Sequence, residues 1–245
     1  MRNAALILAV GAAGLSAAPA ATAKTPTVSV QIVGKTTLVG GARDVVPKPF
    51  TLKVGSKSCA VPDATPLAAL EQVRRQSALA YGVRDFGSCS KKAIDAGQLF
   101  VRSIGTEANK GRDGWVYKVG RKVGTTGAAD LAGPFGTGKR LQAGDRLLWF
   151  WCKQGSRGCQ RTLELTPAQA TVAPSSTLVF TVRGYDDLGK GKVVKGATVT
   201  INGAQATTDA AGRATVAAPP IRGPVLAFAT AKGMADAFPA KVTVK

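Results

Sequence analysis

The chain has 245 residues and a formal net charge of +19, from 33 lysine and arginine residues against 14 aspartate and glutamate residues. It contains no histidine. The absence of histidine excludes Ser-His and Cys-His catalytic pairs and imidazole metal ligands, and it removes the side chain that most often acts as a general base. We therefore expect a protein that is not an enzyme, with no catalytic residues, no metal and no cofactor.

The first 23 residues have the composition of a secretory signal peptide. Met1-Arg2-Asn3 is the charged start, residues 4–15 are apolar, and Ala21-Thr22-Ala23 is a small-residue cleavage site. The apolar run is shorter than the roughly 20 residues that cross a bilayer, and no later segment lacks charges over that length. We expect a secreted, extracellular or cell-surface protein with no membrane span.

The basic charge is concentrated in the first two thirds of the chain. Residues 24–161 carry 23 basic and 9 acidic side chains, a balance of +14, whereas residues 162–245 carry 9 and 5. An exported protein with this charge meets anionic cell-envelope polymer or polysaccharide rather than nucleic acid. The alternative is that the charge serves solubility alone.

Four cysteines in an exported chain predict two disulfides, for which three pairings exist. We favour Cys59 with Cys89 and Cys152 with Cys159, because the second pair is local and flanks the Gly- and Ser-bearing turn at 153–158. The alternative is four buried free thiols.

Apolar alternation predicts short strands in the first domain, which we expect at residues 24–161. Between the first two strands, Gly and Pro in residues 34–49 indicate turn and loop. Thr65 and Pro66 predict the start of a helix, with an apolar face formed by Leu67, Leu70 and Val73. The predicted strands are 28–32, 50–54, 99–104, 115–119 and 146–152.

The second domain, expected at residues 162–245, has only strand-like segments. Asn202-Gly203 is typical of a two-residue hairpin turn, and residues 161–167 are interpreted as a linker. Six or seven short strands indicate a sandwich. The predicted strands are 177–183, 197–201, 204–208, 213–216, 225–230 and 241–244.

The first domain resembles a known family through several spaced motifs. These are residues 63–67 at the helix start, residues 101–105, Gly114-Trp115-Val116-Tyr117-Lys118-Val119 and Gly144-Asp145-Arg146-Leu147-Leu148-Trp149. Over residues 28–151 they resemble the transcobalamin-like C-terminal domain family. The resemblance implies a small β-grasp-like α+β domain with one helix, and in the family's animal members the domain closes over cobalamin.

The second domain resembles bacterial immunoglobulin-like and carboxypeptidase-regulatory-like modules, through residues 196–203 and 208–214. Such modules act as spacers or adhesive stalks. The fold class expected for the whole chain is therefore mostly β: a β-grasp-like domain followed by an immunoglobulin-like β-sandwich.

Candidate ligand-binding residues lie on the two aromatic strands and on the Gly-rich loop at 120–138. Trp149 and Trp151, two apart on a strand, project onto one face. If exposed they would form a sugar-stacking platform, and if buried they belong to the core, which we favour for both. The candidates are Trp115, Tyr117, Arg121, Lys139, Arg140 and Trp151.

Two other motifs suggest chemistry only weakly. Residues 133–139 have the spacing of a phosphate-binding loop, but Arg140 stands where Ser or Thr should hold Mg²⁺. Asp186 and Asp187 precede glycines as in a calcium loop, but too few carboxylates follow them at ligand spacing. We interpret both segments as turns.

These features predict a secreted bacterial binding protein acting at or outside the cell envelope, with an anionic wall polymer or polysaccharide as partner and another surface protein as a further candidate. The alternatives are a small-ligand, cobalamin-like carrier module and a structural spacer in a surface assembly.

Overall fold

The computed structural model describes residues 25–36, 38–236 and 238–245. The predicted signal peptide at 1–23 lies outside the described residues. One α-helix, α1 (Pro66–Ser77), and one 3₁₀ helix (Ala93–Gln98) occur among these residues. The strands are β1 Val28–Val33, β2 Leu38–Val45, β3 Phe50–Val54, β4 Lys57–Val61, β5 Tyr81–Asp85, β6 Leu99–Ile104, β7 Glu107–Ala108, β8 Gly114–Val119, β9 Lys122–Val123, β10 Arg146–Cys152, β11 Thr162–Pro167, β12 Thr171–Val172, β13 Thr177–Tyr185, β14 Gly191–Val193, β15 Thr198–Ile201, β16 Ala204–Thr207, β17 Arg213–Ala217, β18 Gly223–Thr230 and β19 Ala240–Val244.

The N-terminal half, residues 25–161, is built on a five-stranded sheet in the order β2-β1-β10-β8-β9. The central strands β1 and β10 are parallel, with Val30 opposite Leu147, and each has an antiparallel neighbour on its outer side. Helix α1 lies between them in sequence and packs on β1 and β2. This is the β-grasp-like arrangement, with one helix, that the family resemblance implies.

Helix α1 begins as its sequence indicates. The Thr65 side chain accepts a 3.3 Å hydrogen bond from the backbone N–H of Ala68, which satisfies one of the unpaired donors of the first turn. The helix then buries Leu67, Leu70 and Val73 against the sheet. The predicted apolar face is therefore the face that builds the first core.

The C-terminal half, residues 162–245, is a two-sheet sandwich. One sheet has the order β12-β19-β18-β15-β16, and in the other β13 pairs with β11, β14 and β17. Alternate residues such as Phe180, Val199 and Val242 are fully buried between the sheets. At the β15–β16 turn, Asn202 and Gly203 both have positive φ, as a type I′ hairpin requires.

Two segments differ from their predictions. Residues 34–49 were expected to be turn and loop, but they contain β2, which pairs with β1 through two register shifts, one on each side of the Ile32–Gly40 pair. Residues 161–167 were expected to be a linker, but they contain β11. Leu163 and Leu165 alternate with polar residues and are buried in the second core, so this segment is a strand of the sandwich.

Strand β10 joins the two halves because both of its faces are buried. Trp149 and Trp151 point into the core beneath α1, whereas Leu148 and Phe150 belong to a separate apolar cluster. That cluster is completed from the C-terminal half by Ala235 and Phe238. The two halves therefore meet across a packed apolar contact.

Candidate binding cleft between the two halves

A buried lysine lies at the centre of the contact between the halves. Lys118, on β8, is fully buried, and its Nζ donates hydrogen bonds to Oγ1 of Thr162 (3.1 Å) and to the backbone oxygens of Tyr185 (3.0 Å) and Asp186 (2.9 Å). Burial lowers its pKa to about 8, although nearby Asp187 opposes this shift. Three acceptors from the C-terminal half thus hold one side chain of the N-terminal half.

A second polar contact closes the edge of the interface. Arg121 donates two hydrogen bonds to the Glu164 carboxylate, Nε–Oε2 at 2.9 Å and Nη2–Oε1 at 2.6 Å, and its guanidinium lies 4.5 Å from the Tyr185 ring centre. Hydrogen bonds from Arg121 lower the pKa of Glu164. Glu164 is therefore an ion at neutral pH, and Arg121 already has a partner.

Beside these contacts lies an open cleft of about 560 Å³ between β1, β2 and β10 on one side and β11 and residues 238–241 on the other. Its charged lining residues are Arg43, Asp44, Arg121, Arg146, Glu164 and Lys241. Asp44 accepts a hydrogen bond from the Ser29 hydroxyl, and Glu164 is paired with Arg121. Outside the Arg121–Glu164 pair the lining thus carries three cationic residues, Arg43, Arg146 and Lys241, and one acidic residue, Asp44.

Arg146 is the distinctive residue of this cleft. Its guanidinium carbon lies 4.3 Å from the ring centre of Phe238. Within the described part of the chain, no carboxylate oxygen lies within ion-pair distance of it. Burial lowers the pKa of Arg146, and Glu164 opposes the shift only through space. A partly desolvated, unpaired guanidinium is suited to a planar anion, because its fork of N–H donors matches a carboxylate or phosphate.

The predicted aromatic candidates are in the core instead of on the surface. Trp115, Tyr117 and Trp151 are all buried, and the Trp115 and Trp151 rings pack edge to face with centres 5.9 Å apart. Burial removes them from any polymer-binding surface, as it removes Trp149 from a sugar-stacking platform.

The predicted cationic candidates are separated in the structure. Arg121 lines the cleft, but Lys139 and Arg140 do not. Arg140 forms an ion pair with Asp63 and so fastens the Gly-rich loop to the residues before α1. Lys139 is exposed beside it.

The structure pairs the four cysteines as Cys59–Cys89 and Cys152–Cys159. The second bridge lies at the end of β10, directly before the C-terminal half. Its turn contacts that half, since the backbone N–H of Cys159 donates a 2.9 Å hydrogen bond to Oδ2 of Asp187.

The two predicted turns have structural roles. Asp186 accepts from the backbone N–H groups of Leu188 and Lys190, which is the bonding of an acidic turn. Residues 133–139 form turns and lead into no helix. Across residues 25–36, 38–236 and 238–245, no group of three or more acidic or cysteine side chains is placed to hold a metal ion.

Sequence reasoning missed Arg146, Glu164 and Phe238 as members of one site. Arg146 lay inside a recognised strand motif, and Glu164 lay in the presumed linker. Nothing local in the sequence indicates that Phe238 packs on Arg146 from almost a hundred residues away. The alternation of Leu163 and Leu165 would have indicated β11, and with it the outward position of Glu164.

Within the described ranges, no helix is both long and apolar enough to cross a membrane.

Comparison with known proteins adds the following. No family model matches the chain, and no curated protein matches it. Similar solved structures include the D00-D0 domain of intimin, at 15% identity over 69% of this chain and 80% of that one with a TM-score of 0.26, and the D0-D1 domain of intimin, at 12% identity over 90% and 98% with a TM-score of 0.27. Scores at this level carry no argument about function. The resemblance to the transcobalamin-like family therefore stays a prediction, and the chain is described by its fold: a β-grasp-like half joined to an immunoglobulin-like sandwich.

Proposed function

We propose that the protein is a secreted, non-enzymatic binding protein that takes anionic groups of a cell-envelope polymer or polysaccharide in the cleft between its halves. The observation that carries this proposal is the unpaired guanidinium of Arg146, stacked on Phe238 inside the cleft. A buried or half-buried cation without a counter-charge is unfavourable unless an anion joins it.

Two further cations in the lining support the proposal. Arg43 and Lys241 face the cleft from opposite halves, and neither is in an ion pair with any described residue. Together with Arg146 they place three positive charges around one opening, against the one remaining acidic residue of the lining, Asp44. A polymer with regularly spaced carboxylates or phosphates would neutralise several of them at once.

The shape of the cleft also suits a chain-like ligand. The cleft is open to solvent and is not an enclosed cavity, and its walls are formed by strand and loop residues. An open cleft lets a long polymer enter and leave without threading. The charge-based attraction should weaken as salt screens the exposed partners.

The test is a binding measurement with polygalacturonate, a polymer of carboxylate sugars, alongside purified cell wall. We expect Arg146→Met, which keeps the apolar stem on Phe238 but removes the charge, to weaken polymer binding by about tenfold or more, as for a charged hydrogen bond. Arg222→Gln is the matched control, because Arg222 is exposed and lies outside the cleft lining.

Three outcomes would count against the proposal: retention that is insensitive to salt, equal losses in both variants, or no binding at all. A purely structural spacer would give the last of these. The carrier role implied by the family resemblance is tested separately, because saturable quenching of tryptophan fluorescence by cobalamin would support it and a flat titration would reject it.

A further inference from the structure

The three-stranded sheet β5-β6-β7 of the N-terminal half has one face that is open to solvent. Strands β5 and β6 are antiparallel, with Val83 opposite Val101 and Arg84 opposite Phe100. Because successive side chains alternate between the faces of a strand, these two pairs point in opposite directions. Val101 is buried in the core, whereas Arg84 and Phe100 are both exposed. The face that carries Arg84 and Phe100 is therefore the outer face of this sheet.

Two aromatic rings stand at this face. Phe86, directly after β5, is 60% exposed, and Phe100 is 43% exposed. Their ring centres are 5.7 Å apart, and the rings meet edge to face at 65°. The two large apolar side chains thus form one patch and are not scattered singly over the surface. Adjoining exposed rings of this kind mark an interaction surface.

Unpaired cations lie beside the rings. The Arg84 guanidinium carbon lies 4.7 Å from the ring centre of Phe86. Arg102 is exposed and, two residues after Phe100, lies on the same face of β6. Neither arginine is in an ion pair with any described residue. We call the surface formed by Arg84, Phe86, Phe100 and Arg102 the aromatic–basic surface.

The acidic residues nearby are already engaged. Oδ2 of Asp85 accepts a 2.7 Å hydrogen bond from Lys57, and the Asp85 side chain is only 2% exposed. Asp95 accepts a 2.6 Å bond from the Ser90 hydroxyl. Asp130, which lines the groove next to the two rings, accepts a 2.8 Å bond from a backbone N–H. The aromatic–basic surface therefore presents two free guanidinium groups with Asp130 as the acidic neighbour in the groove.

We propose that the aromatic–basic surface docks on an anionic lipid membrane. Phe86 and Phe100 enter the headgroup region, where their apolar area leaves water, and Arg84 and Arg102 bind the lipid phosphates. Each cation held near an anionic membrane strengthens binding about fivefold. Contact of this kind needs no membrane-spanning segment. The surface shares no residue with the lining of the anion cleft, so the two sites are independent.

Other occupants satisfy only part of this surface. A soluble anionic polymer would neutralise the arginines but leave the rings in water, because an edge-to-face pair does not offer a flat platform for sugar rings. A second copy of the chain would cover the rings but bring the arginines of both copies together, which is unfavourable. An anionic lipid surface accommodates the rings and the cations at once.

The first test is co-sedimentation of the mature protein with vesicles of phosphatidylglycerol and phosphatidylcholine in equal amounts. The double variant Phe86→Ala/Phe100→Ala keeps the net charge, so it separates the rings from the general attraction of a basic protein. We expect it to weaken vesicle binding by about tenfold or more. The matched control is Leu226→Ala/Phe228→Ala, which removes two apolar side chains, 48% and 42% exposed, from the C-terminal half.

The second test removes charge. Arg84→Gln/Arg102→Gln should also weaken binding by about tenfold or more. Arg222→Gln/Lys232→Gln removes the same charge from exposed positions of the C-terminal half and should weaken binding less. Vesicles of phosphatidylcholine alone should retain little protein. If the double phenylalanine variant does not fold, Phe86→Ala decides, because that residue lies outside the strands.

Four results would overturn the proposal. They are absence of binding to the anionic vesicles at low salt, equal losses in a variant and its matched control, and an equal loss of polygalacturonate binding in the double phenylalanine variant, which would assign the surface to a soluble polymer. The fourth is a lipid-free dimer that dissociates in Phe86→Ala/Phe100→Ala, which would assign the surface to a second copy of the chain.

Discussion

The Nζ atom of Lys118 lies 3.1 Å from Oγ1 of Thr162, the first residue of β11, and is fully removed from solvent. This contact joins a central strand of the N-terminal sheet to the strand that opens the sandwich. Two backbone oxygens, of Tyr185 and Asp186, complete the set of acceptors. The Lys118 ammonium therefore helps to fix the relative position of the halves, together with the Arg121–Glu164 pair and the apolar cluster that contains Phe150 and Phe238.

Replacing that group should destabilise the protein. In Lys118→Met the apolar stem remains, but the Tyr185 and Asp186 carbonyls lose their buried donor. We expect the free energy of unfolding to fall by about 2 kcal/mol at pH 7, as for unsatisfied buried polar groups. Urea denaturation measures the change. Lys122→Met, on exposed β9, is the control and should change stability by less than about 0.5 kcal/mol.

The same lysine predicts a rise of stability with pH. Its pKa is about 8 in the folded protein against 10.5 ordinarily, so between these values the unfolded chain binds more protons than the folded one. Stability must then increase with pH through this window, by about 2 kcal/mol between pH 7 and pH 9.5. The charged side chains that act on the Lys118 ammonium are those of Asp187, Asp186 and Arg161. Lys118→Met should remove most of this rise, and a rise of equal size in the variant would contradict the assignment.

Glu71 predicts a second rise of stability with pH, this time in the acid range. Burial alone would raise its pKa, but hydrogen bonds from Arg74, Arg75 and Tyr81 outweigh burial and lower the pKa to about 2. A depressed carboxyl pKa stabilises the fold above about pH 4.5, and the contribution is lost as the pH falls towards 2. Because both arginines are about half exposed, screening reduces the contribution to about 1–2 kcal/mol.

The measurement for Glu71 is the difference in unfolding free energy between the wild type and Glu71→Gln, followed from pH 6 to pH 2. This difference should shrink as the pH falls. Tyr81→Phe, which removes one of the hydrogen bonds, should give a smaller version of the same profile. A difference that stays constant with pH would show that Glu71 is not titrating in this range.

The two disulfides should contribute unequally. Cys59–Cys89 closes a loop with a sequence separation of 30, and Cys152–Cys159 one of 7. On the loop-entropy model, replacing both cysteines by serine should cost about 3–4 kcal/mol for the first bridge and about 2–3 kcal/mol for the second. Thermal unfolding of the two double variants tests the order, which would be reversed if the local bridge mainly holds the interface.

Gly127 should be intolerant of a side chain. In Gly127→Ala the new Cβ would meet the Gly97 backbone oxygen at 1.8 Å, and because this neighbour is main chain the loop must shift. We expect a loss of about 1–3 kcal/mol from overpacking. Gly41→Ala is the control, since a Cβ there has no neighbour within 4 Å among the described residues and the backbone is not left-handed.

The strands that sequence predicts best are those with unbroken apolar alternation or aromatic runs. Strands β6 and β10 begin and end where their patterns do. Strand β2 was missed because Gly40, Gly41 and Asp44 are typical of turns, and only pairing with the buried strand β1 makes the segment extended. Strand β4 was missed because only two of its residues, Cys59 and Val61, form a buried face, which is too few to show a period.

The site was less predictable than the fold because it depends on packing between distant segments. The aromatic residues were predicted to contact a ligand. Trp115 and Trp151 instead fill the small N-terminal core with their large side chains, and their burial removes them from the surface. Arg146 is unpaired because the nearby carboxylate of Glu164 pairs with Arg121 instead. That pair joins the two halves, so the local sequence does not indicate it.

Strand β10 is buried on both faces, and the C-terminal half covers the face that points away from α1. Residues 147–152 are all shielded in the intact chain. A protease cut after Arg161, beyond the Cys152–Cys159 bridge, followed by release of the sandwich would leave Leu148 and Phe150 exposed to water on an open sheet, together with Val33. The freed N-terminal fragment would expose an apolar stripe and self-associate. Its solubility therefore depends on the C-terminal sandwich, although the sandwich contributes no residue to the N-terminal core.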